Sequence, residues 1–85
     1  MRSEKELFRL AKDMAFIEDK LQEGCNEMVR EELNEEAARI RRILLEKNYN
    51  VNTFLHYKEL YKSMTIEEYY EFIKLLNNID RSEEK

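Results

Sequence analysis

His56 and Glu59 form an H-x-x-E pair, which a helix would set on one face. Helical metal sites built from carboxylates use a Glu-x-x-His pair repeated on facing helices. Here the order is reversed, the chain has a single histidine, and both residues fall on the polar side of their segment. They read as a solvated His–Glu pair, not as metal ligands. Nucleophilic chemistry finds no better support. The single cysteine, Cys25, lies in a different segment from the histidine. No serine sits in a nucleophile elbow, and no glycine-rich loop is available to cradle phosphate. Glu67, Glu68 and Glu71 crowd a helix start, where the macrodipole favours them, and make no catalytic dyad. The expectation is no enzyme, with no catalytic residue, no cofactor and no metal ligand.

Arg39, Arg41 and Arg42 form the dense basic cluster, and such side chains can contact phosphates. A helical wheel divides them. Arg39 and Arg42 fall on a face lined by Glu31, Glu35 and Glu46, with Glu35–Arg39 and Arg42–Glu46 at i,i+4 spacing. Arg41 projects about 100° away from Arg42. The formal charge of −4 also runs against a general nucleic-acid binder. The last two segments resemble a helix-turn-helix in connection length. The second of them, IEEYYEFIKLLNN, carries one Lys against three Glu and is a poor groove reader. A nucleic-acid-associated regulator using the three arginines is therefore the runner-up.

Protein binding ranks first. Phe16, Leu45, Leu55 and Leu75 each lie well off the main apolar stripe of their segments. One exposed apolar residue means little. Four in so short a chain, with Tyr70 on an edge, fit an interface. Broad stripes in a bundle would also hold some of them in the core, so both readings stand. Arg41, with Leu45 one turn on, points at space that no neighbour on its helix claims. The candidate partner-binding residues are Phe16, Arg41, Leu45, Leu55, Tyr70 and Leu75.

Those residues need rigid elements to carry them. The chain has 85 residues, the length of one domain, with 42% hydrophobic and 40% charged residues. It has no proline and one glycine, Gly24. Strand-rich folds need turn residues at short intervals, so this composition dictates helices. Four are predicted, over 3–23, 26–47, 53–63 and 65–79, followed by a polar tail at 80–85 that frays. Ser3–Glu6 and Thr65–Glu68 have capping-box spacing.

Leu7, Leu10, Met14, Ile17 and Leu21 make an a/d seam on the first helix, and Phe8 reaches a second neighbour. Val29, Leu33, Ala37, Ile40 and Leu44 stripe the second helix, which is expected to organise the fold. Val51 is expected to tuck into the core from the NYNVNT connection. Phe54, Tyr57, Leu60, Tyr61 and Met64 face inward from the third helix. Ile66, Tyr69, Phe72, Ile73, Leu76 and Ile79 do so from the fourth. Gly24 leaves two choices, a break or one helix running through it. The twelve residues from Leu21 to Leu33 would turn a continuous stripe by about 120°, which favours the break.

The predicted fold is all-α, an antiparallel helical hairpin packed with two shorter helices in a small four-helix bundle-like domain. There is no run of eighteen apolar residues and no signal-peptide pattern at the N-terminus. With one reduced thiol, a cytoplasmic protein is expected. The functional expectation is a small intracellular regulator or adaptor, homodimeric, that binds a larger protein by its surface. In size and class the chain is similar to small bacterial and phage regulators, a likeness that carries no residue roles. Its Lys/Glu/Asn/Ile/Tyr-rich composition fits an AT-rich genome.

Overall fold

The computed structural model describes residues 3–83; Glu84 and Lys85, the end of the expected tail, lie outside them. Four helices follow one another: α1 (Glu4–Glu23), α2 (Glu27–Glu46), α3 (Val51–Ser63) and α4 (Ile66–Glu83). There is no strand among the described residues. The fold is all-α, with α1 and α2 as the hairpin and α3 and α4 as the shorter helices packed with it.

Caps set most of the boundaries. Ser3 Oγ accepts from the Glu6 amide at 3.2 Å, and Asn26 Oδ1 accepts from the Val29 amide at 2.9 Å. Thr65 and Glu68 complete a reciprocal capping box, at 3.2 and 3.0 Å. The box at Ser3 is only half made, because Glu6 turns to Lys47 and Tyr49 instead. Gly24 ends α1 with φ 93°, a conformation open to glycine, and the hairpin breaks there.

Two boundaries differ from expectation. Helix α3 starts at Val51, not Thr53, because Asn50 caps it through the Thr53 amide at 3.2 Å. The turn before it closes on Asn48, whose φ of 54° suits asparagine. This shortens the connection and puts Val51 in the first helical turn, where it is 55% exposed instead of core. Tyr49 fills the core place from that connection. Helix α4 continues through Asp80 to Glu83 instead of ending at Ile79. Asp80 is held by the N-terminus of α1. Its carboxylate accepts from Ser3 Oγ at 2.8 Å and from the Glu4 and Lys5 amides at 3.0 and 3.3 Å. A negative charge at a helix N-terminus meets unpaired amides and the positive end of the dipole.

The organising element is α1, not α2. Helices α2, α3 and α4 each pack on α1, α3 most extensively, and more loosely on one another. The reason lies in the width of the apolar stripe. Helix α1 buries the expected Leu7, Leu10, Met14 and Ile17, and also Phe8, Ala11 and Ala15. The last three form a second seam at 3-4 spacing, and the alanines let neighbouring backbones approach closely. Phe8, 0% exposed, lies among the rings of Tyr57, Tyr61, Tyr69 and Phe72, at centroid distances of 4.9–6.2 Å. Helix α2 buries only Ala37, Ile40 and Leu44, and Val29 in its first half is exposed. Ile66 and Ile79, expected inside, are exposed at the two ends of the inner face of α4, while Leu76, one turn before Ile79, is buried.

Candidate functional site

The short turn at Lys47–Asn50 folds the start of α3 back beside the end of α2. Three amides close it, Lys47 to the Ile43 carbonyl, Asn48 to Leu45 and Tyr49 to Leu44, at 3.0–3.2 Å. The result is an open groove of about 390 Å³. Its floor is Met14 from α1, Leu44 from α2 and Phe54 from α3, all buried. Its walls are Leu45, Val51 and Leu55, all exposed, and Leu45 is 79% exposed. Arg41, Lys58 and Glu18 complete the lining.

The charges around the groove do not balance. Glu18 accepts from Lys58 Nζ at 2.8 Å and from Lys62 Nζ at 3.1 Å. Burial works against its ionised form, but the two lysine hydrogen bonds outweigh burial and hold its carboxyl below the usual value. The same hydrogen bond pushes the Lys62 ammonium upward. Within the groove lining, Glu18 is the one carboxylate beside two cations, Arg41 and Lys58. Arg41 makes no ion pair among the described residues. The rim carries an excess of positive charge over an apolar floor, although the whole chain is acidic.

Of the six candidate partner-binding residues, Arg41, Leu45 and Leu55 come together here. Tyr70 lines a second open groove of about 550 Å³ with Lys12, Tyr61, Ile66 and Tyr69. Phe16 lies on the outer side of α1 with the Lys20 ammonium 5.5 Å from its ring centroid, and Leu75 is exposed on α4. Val51 and Lys58 joined the groove without being anticipated. The asparagines that cap and turn the α2–α3 connection were the signal that placed Val51 on a helix.

The three arginines of the cluster are engaged differently. Arg39 pairs with Glu36 at 3.0 Å, i,i+3, and not with Glu35. Arg42 does not pair with Glu46 and makes no ion pair among the described residues. Arg41 turns to the groove. His56 is exposed beside Tyr57, with ring centroids 6.2 Å apart. Among the described residues, no three His, Cys, Asp or Glu side chains gather as a metal ion would require. No helix among them is long and apolar enough to cross a membrane.

No protein-family model, no curated protein and no solved structure matches this chain.

Proposed function

We propose that this chain is a small cytoplasmic interaction module, homodimeric, that regulates or bridges a larger protein by docking a segment of it in the α2–α3 groove. One observation carries the reading: Leu45, Val51 and Leu55 stand exposed around a floor of Met14, Leu44 and Phe54, beside an arginine with no ion pair among the described residues. An apolar anchor from the partner would rest on that floor. Each leucine-sized side chain fully withdrawn from water is worth about 1.5–3 kcal/mol. A carboxylate on the docked segment would meet Arg41, fixing register and rejecting basic segments. The fitting occupant is an amphipathic helix with acidic residues next to its apolar anchors.

The test is affinity capture from the native cells with the wild-type chain, Leu55→Glu and Arg41→Glu, with circular dichroism on each. Leu55→Glu is expected to lose the captured protein and Arg41→Glu to weaken its capture, both at unchanged helicity. Capture that is indifferent to both substitutions would refute the groove as the docking site.

A further inference from the structure

The outer face of α2 carries a second pattern. Met28, Glu31, Glu35, Ala38, Arg42 and Leu45 follow one another at 3-4-3-4-3 spacing, which is an a/d seam. All six are exposed, on the side of α2 away from Ala37, Ile40 and Leu44. Met28, at 73%, and Leu45, at 79%, are the most exposed large apolar residues at the two ends of this face. They stand 17 residues apart, roughly 25 Å along the helix axis.

The seam is its own complement. Turn a second copy of α2 antiparallel about a two-fold axis level with the step from Glu36 to Ala37, the midpoint of Met28 and Leu45 being residue 36.5. Met28 then faces Leu45 of the other copy, Glu31 faces Arg42, and Glu35 faces Ala38. The symmetry makes each contact twice. Glu31 and Arg42, which make no ion pairs among the described residues, become partners. The wider charge pattern agrees. Glu27, Glu31, Glu32, Glu35 and Glu36 outweigh Arg30 in the first half of the helix, and Arg39, Arg41 and Arg42 outweigh Glu46 in the second. Antiparallel pairing sets each acidic half against a basic half, and opposes the two helix dipoles. Parallel pairing would set glutamate against glutamate.

We infer that a second copy of this chain docks on the outer face of α2, antiparallel, with Met28 against Leu45 and Glu31 against Arg42. This rests on the homodimer part of the proposed function and assigns it a surface separate from the groove, sharing only Leu45 at the crest between them.

Sedimentation equilibrium at high micromolar concentration tests it by charge reversal. The wild type is expected to be a dimer that weakens with salt. Arg42→Glu is expected to be a monomer, because each of its two Glu31 contacts becomes a like-charge pair. The double variant Glu31→Arg with Arg42→Glu is expected to dimerise again. A wild-type monomer would overturn the homodimer reading together with this surface. A dimer untouched by Arg42→Glu would overturn the surface alone. Direction is read in a Cys25→Ser background. Met28→Cys and Leu45→Cys proteins are expected to cross-link by disulfide when mixed and not when alone; cross-linking of either alone would overturn the antiparallel register. Leu55→Glu is expected to leave the dimer intact, which separates this result from failure of the groove.

Discussion

Asp80 is the residue with the longest reach. Its carboxylate ties the end of α4 to the first turn of α1 through three hydrogen bonds. Beside it, Tyr49 accepts from the Ser3 amide at 3.0 Å and donates to Glu6, while Tyr57 donates to Glu4 at 2.8 Å. Asp80→Ala leaves helix-terminal amides without their anionic partner and is expected to cost about 2 kcal/mol in urea unfolding, with Asp80→Asn costing less. A loss indistinguishable from zero would show that water replaces the carboxylate freely. The same residues set the pH response. Burial opposes the charge on Glu6, but hydrogen bonds from Lys47 and Tyr49 outweigh it and hold its carboxyl below 4.5; Glu18 behaves likewise with Lys58 and Lys62. A depressed carboxyl stabilises the fold above 4.5, and that stability is lost as pH falls through the folded value. Burial first, then Glu6 and Glu4 respectively, push the Tyr49 and Tyr57 phenols up from 10.0 to about 12. A raised phenol stabilises the fold below 10.0, and that share is lost as pH rises toward about 12. Unfolding free energy measured across pH is therefore expected to fall at both ends. Tyr49→Phe is expected to flatten part of the alkaline fall.

At the scale of elements, the helices were legible in the sequence, but their ranking was not. Helical periodicity and cap residues located all four, because each stripe and each Ser, Thr or Asn cap is a local property. Which helix lies at the centre depends on how many faces it can bury. The clue was present in Phe8, Ala11 and Ala15, a second seam on α1. Alanine contributes little to an apolar pattern, so the seam was easy to miss beside the long stripe of α2. The hairpin itself turns on Gly24. A Cβ built there meets no atom within 4 Å, so the cost of adding one comes from the backbone alone. Gly24→Ala is expected to destabilise by about 1 kcal/mol, because φ 93° strains any L side chain. A neutral result would mean that the turn relaxes to a conformation alanine accepts.

At the scale of the molecule, the shape explains what the sequence left open. The described residues span 46 × 31 × 18 Å, and the short dimension is less than two full helix diameters. A slab so thin covers its residues from few directions. That is why Ile66, Ile79 and Val29, expected on inward-facing apolar stripes, are exposed. It is also why off-stripe residues became surface. Arg41 and Leu45 were readable as a pair from the wheel of α2. Their meeting with Leu55 was not, because it depends on the angle at which a four-residue turn returns α3. The groove and the outer face of α2 are the two proposed surfaces, one for a partner protein and one for a second copy. The most direct measurement of the central claim places a photoreactive residue at position 55 in the native cells. The expected result is one discrete cross-linked protein, lost when Val51→Glu, a groove residue outside the α2 seam, is added at unchanged helicity. No cross-link, or one that survives Val51→Glu undiminished, would contradict docking in the groove.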